Sequence, residues 1–128
     1  VAVRRIGTDE GEAAWRSWRE SAAGSTGAAR PIIALAVRYT LQLITDLAPG
    51  GAVEVRVIPF GATQILEGAN HRRGTPPAVV EMSAQTWLEL ATGLLTWQEA
   101  VDSGAVDASG VMADLGPLLP LLGRSYGN

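Results

Sequence analysis

The chain has 128 residues, which suits one domain with a single core and at most a modest internal cavity. Hydrophobic residues make up 47% and charged residues 18%, a globular composition, and the net charge of −3 argues against broad attraction to nucleic-acid phosphates or anionic lipid. Cysteine is absent and His71 is the single histidine, which excludes disulfides, a thiolate nucleophile and a multi-histidine metal site.

The ten basic residues are all arginine, a bias that points to a GC-rich genome. Arg4 and Arg5 are followed by Gly7-Thr8-Asp9-Glu10, not by an apolar stretch, so the start does not read as a secretory signal. The longest apolar region, residues 31 to 47, is interrupted by Arg38, Gln42 and Asp46, so stable membrane insertion is not expected. These features predict a cytoplasmic protein.

In chain order, the first helix is predicted to start at Asp9, with Glu12 at capping-box spacing and Trp15, Trp18 and Ala22 on one side. A small-residue loop over 23–29 leads to a second helix opening at Pro31. Its apolar face is broad (Ile33, Ala36, Val37, Thr40, Leu41 and Ile44, widened by Leu35, Tyr39 and Leu43), which predicts packing on more than one side. Ala48-Pro-Gly-Gly51 ends it.

Val53, Val55 and Val57 alternate with Glu54 and Arg56, the signature of a half-buried strand. A turn at 59–61 and a second strand over 62–66 follow, then a polar loop over 68–77 and a third strand over 78–82. Ser83 caps a helix that carries Trp87, Leu90, Ala91 and Leu94 inward. Thr96 and Glu99 open another helix that stops at Gly104, and residues 106–109 form a fourth strand. Met112, Leu115, Leu118, Leu119 and Leu122 recur at near-helical spacing, although Pro117 and Pro120 interrupt them. No internal repeat divides the chain, so a single domain over 1–128 is expected.

The motifs of catalysis are missing. There is no Gly-x-Ser-x-Gly elbow near His71, no Gly-x-Gly-x-x-Gly, no phosphate-binding Gly-Lys-Ser/Thr, and no calcium-loop spacing among Asp102, Asp107 and Asp114. The expectation is a protein that is not an enzyme and holds no cofactor or metal.

The stretch from Glu81 to Gly110 resembles the C-terminal half of a sterol carrier protein domain. The matching features are Met82, Trp87, Leu90, the Thr92-Gly93 step, Ala100, Gly104, Val106, Gly110, Met112 and Leu115. Arg30-Pro31 and Arg73-Gly-Thr-Pro-Pro77 are similar to features of actinobacterial sterol-carrier-like proteins. The resemblance implies an α+β fold, in which helices cover a small mixed or antiparallel sheet of four to five strands. It also implies an apolar tunnel between that sheet and the C-terminal helices, which takes a sterol, a fatty acyl chain or a similar lipid.

On that reading the wall residues are Phe60, Leu90, Leu94, Trp97, Val101, Met112, Leu115, Leu118 and Leu119, although an ordinary core stripe has the same pattern. His71, Arg72 and Arg73 offer donors to a carboxylate or phosphate head group, or else form a solvated loop tip with Glu81 as a structural partner. Arg38, on its apolar helix, is expected to pair with Asp46 or Glu54, and Trp15 and Trp18 to anchor the first helix or dock a partner. The expected function is lipid carriage. The alternatives are a protein-interaction or structural module with a collapsed cavity, and an accessory subunit of an acyl-transfer or thiol-cofactor enzyme.

Overall fold

A computed structural model describes residues 4–23, 27–68, 78–109 and 114–122. Helix α1 spans Thr8–Ala23 and places Ala14, Trp15 and Trp18, all buried, against helix α2, Arg30–Leu47. The two helices cross at Gly11, where a Cβ would stand 2.2 Å from the Tyr39 ring, so only glycine admits this approach. The expected capping box is not formed. The helix starts one residue earlier, at Thr8, and the Glu12 carboxylate instead accepts from Trp15 Nε1 at 3.0 Å and from the Tyr39 hydroxyl at 3.3 Å.

The wide apolar stripe of α2 is buried on two sides, as its breadth implies. Tyr39 meets α1, while the helix also contacts the sheet and the third helix.

Four strands form the sheet: β1 Pro49–Ile58, β2 Gly61–Ile65, β3 Ala78–Ser83 and β4 Val106–Ser109. Their order is β2-β1-β3-β4, with β1–β2 and β3–β4 antiparallel and β1–β3 parallel, as in Val55 opposite Thr63 and Val80. Strand β1 is longer than the Val53–Val57 alternation suggests. Pro49 already pairs with Ile65, and the register shifts between Pro49 and Val53. Val53, Val55, Val57, Ile65, Val80 and Met82 point to the helix-covered side and form the core. Glu54 and Arg56 alternate with them and lie on the opposite face.

Helix α3, Ala84–Thr92, starts at Ser83, whose side chain accepts from Thr86 N, and ends at Gly93 in the left-handed region at φ 82°. Leu94 lies beyond that cap and is 53% exposed, so it does not face inward as the helical spacing suggested. Helix α4, Trp97–Asp102, is held by the capping box of Thr96 and Glu99 and buries only Ala100.

The closing segment departs furthest from its apolar spacing. Among the described residues it contains a single 3₁₀ turn, Gly116–Leu118, followed by extended backbone at Leu119. Pro117 and Pro120 lack the amide hydrogens that a longer helix would need. The chain then docks by other means: Leu121 N and Leu122 N both donate to Ala91 O at 2.9 Å, which seats Leu122 in the core beside the fully buried Leu115.

Candidate functional site

The residues expected to form one apolar wall fall into three environments. Leu90 and Leu115 are fully buried and packed in the core. Trp97, Leu118 and Leu119 are half-buried against its C-terminal side, while Leu94 and Val101 are exposed. Phe60 sits in the turn between β1 and β2, with the Arg30 guanidinium 5.0 Å from its ring centroid. Met112 and the head-group candidates His71, Arg72 and Arg73 lie outside the described residues. An apolar helical stripe reads the same whether it packs or lines a cavity, so spacing alone does not separate these environments.

The described residues also line an open groove of about 610 Å³, which shares Phe60 with the expected wall. Its walls are the N-terminal arm from Arg4 to Ile6, one side of α2, and the chain from Phe60 to Thr63. Along α2, Leu35, Arg38, Gln42 and Thr45 follow at helical spacing and face it together. Gln42 fixes the arm with two bonds of 2.9 Å, accepting from Ile6 N and donating to Ile6 O. On the sheet side the Thr45 and Thr63 hydroxyls lie 2.7 Å apart, which ties α2 to β2.

The charges in and around this groove are arranged differently from the sequence expectation. Asp46 is taken by Arg5, with contacts of 2.7 and 3.2 Å, and Glu54 by Arg56. The hydrogen bond from Arg5, supported by its charge, holds the Asp46 carboxyl below the usual carboxylate range. Arg4 reaches Glu10 at 3.4 Å. Arg38 is exposed, and among the described residues no carboxylate lies within ion-pair distance of it. Its place on an apolar helix was a visible signal, but the spacing says nothing of the arm that claims Asp46. Glu81, considered as a partner for the loop arginines, stands 3.9 Å from Arg56.

Nothing in this groove resembles a metal centre. Among the described residues no group of three or more histidines, aspartates or glutamates is gathered to hold an ion.

A sequence family described as bacterial SCP ortholog matches residues 29–121, well over half of the chain. The chain belongs to this family. The bacterial SCP ortholog segment begins where α2 begins and includes the whole sheet, α3, α4 and the 3₁₀ turn, while α1 precedes it. The mixed four-stranded sheet with its helices accords with the sterol-carrier-like α+β fold. No curated protein matches the sequence. Among the described residues no helix is long and apolar enough to cross a membrane.

Proposed function

We propose that this bacterial SCP ortholog binds an apolar ligand, a sterol, a fatty acyl chain or a similar lipid, and carries it through the cytoplasm without catalysing a reaction. The observation that carries the reading is the family match over residues 29–121, which supports a lipid-carrier type of domain. On this reading the ligand lies between the sheet and the C-terminal segment, against Trp97, Leu118 and Leu119, whose partly buried side chains pack on the core and support this placement. Such a site needs shape and apolar area more than reactive groups, because burial yields about 25 cal/mol per Å².

Solvent extraction and native mass spectrometry of the purified protein test this reading. A stoichiometric sterol or acyl lipid is the expected result. Leu119→Trp fills the rim and is expected to lower lipid uptake at least severalfold while the protein stays folded. An extract free of lipid, together with indifference to fluorescent fatty acids and sterols, would overturn it.

A further inference from the structure

We propose that the groove between the N-terminal arm, α2 and β2 is a separate ligand site. It would take a small amphiphile with one anionic group, a carboxylate or a phosphate monoester, held by Arg38. This inference does not rest on the lipid site at the C-terminal rim, because Trp97, Leu118 and Leu119 are not among the residues that line the groove.

Three observations converge on this chemistry. The first is size: about 610 Å³ lies within the range of roughly 300–1,000 Å³ typical of small-molecule sites. The second is lining. Ile6, Leu35, Leu41, Phe60 and Ala62 supply apolar surface, and the rest of the wall is amide, hydroxyl and charged side chains, with the Asp46 carboxylate neutralised by Arg5. The third is charge. Among the described residues three arginines border the groove, but Arg4 and Arg5 are already engaged by Glu10 and Asp46. Arg38 is left with its planar set of donors unmatched by any carboxylate among the described residues.

The groove is also built before any ligand arrives. Gln42 pins the arm, the Thr45–Thr63 contact pins β2, and Arg30 packs over the Phe60 ring. From Leu35 to Thr45 the helix rises by about 15 Å, so a short chain lies along it with its anionic end at Arg38. An anion without an apolar part would leave Leu35, Leu41 and Phe60 unused. An apolar molecule without an anion would leave the guanidinium unmatched. Both properties together fit the groove.

The test is a titration of the full isotopically labelled chain, followed by amide chemical shifts, with octanoate, octyl phosphate, octanol and inorganic phosphate as probes. Octanoate or octyl phosphate is expected to shift Leu35, Arg38, Leu41, Phe60 and Thr63, and the tighter of the two identifies the anionic group. Arg38→Gln is expected to weaken the anionic amphiphile about two- to fivefold, the scale of one exposed charged contact. Arg38→Lys keeps the charge and is expected to recover part of the loss.

Arg19→Gln, on the exposed side of α1, serves as the control and is expected to change nothing. Equal affinity of wild type and Arg38→Gln would overturn the proposal, as would octanol or inorganic phosphate binding as well as the amphiphile. Shifts confined to Trp97, Leu118 and Leu119 would also overturn it, while supporting the lipid reading of the rim. Arg38 is exposed and holds no ion pair among the described residues, so its replacements are expected to keep the thermal midpoint of the wild type.

Discussion

Thr40 shows how a single hydroxyl ties distant parts of this chain together. Its Oγ1 donates to the carbonyls of Ala36 or Val37, at 2.7 and 2.9 Å, and accepts from Trp87 Nε1 at 2.7 Å. Both side chains are fully buried, so the indole N–H has no access to water once this partner is gone. Thr40→Val is therefore expected to cost about 1–3 kcal/mol, the penalty for a buried donor left unmet. In a Trp87→Phe background the same substitution is expected to cost distinctly less, because the donor is already absent. Urea unfolding of the four proteins in a double-mutant cycle measures the difference, and strict additivity would show that the bond contributes nothing. The spacing of α2 marks Thr40 as part of a buried stripe, but no local pattern pairs it with Trp87, since that contact exists only once α2 and α3 pack together.

At the scale of elements, what was readable in the sequence is what depends on near neighbours. The Thr96–Glu99 box, the Ser83 cap, the left-handed Gly93 and the Val53–Val57 alternation are all set within a few residues, and all are formed. The apolar residues of the closing segment mislead for the opposite reason. Leu115, Leu118, Leu119 and Leu122 suggest a helix, but prolines deny it, and the segment is held by Ala91 O across the fold. The groove was equally hidden, because it depends on where an N-terminal arm lies against α2.

The local box yields its own prediction. Thr96 N and its hydroxyl both donate to Glu99 Oε1 at 2.9 Å, which holds the Glu99 carboxyl below the usual carboxylate range. Its contribution is complete above the ordinary glutamate value of about 4.3 and is lost as the pH falls through the lower folded value. Thr96→Ala removes the hydroxyl from both partners. It is expected to raise the Glu99 titration, read by carboxyl chemical shift, and to speed amide exchange at Ala100 and Ser103 about fivefold, the worth of a typical N-cap. An unmoved titration would show that the backbone contact alone sets it.

For the whole molecule, the buried cluster extends beyond the family segment. The bacterial SCP ortholog match begins at residue 29, yet α1 contributes Ala14, Trp15 and Trp18 to the same buried cluster as α2 and the sheet. Gly11 lets Tyr39 of α2 nest against α1, and Glu12 of α1 accepts from Tyr39. These contacts suit an integral helix better than an appended one, because a tryptophan is costly to leave in water and costly to remove from a packed site. Trp18→Ala is expected to destabilise the full chain by about 3–5 kcal/mol in urea unfolding. Removing residues 1–28 is expected to go further, uncovering the Tyr39 side of α2 and dismantling one wall of the groove with the arm that Gln42 holds. A lower thermal midpoint and new binding of an apolar dye are the expected readouts. A shortened chain that melts with the full one, and binds no more dye, would make α1 an attachment to a domain complete without it.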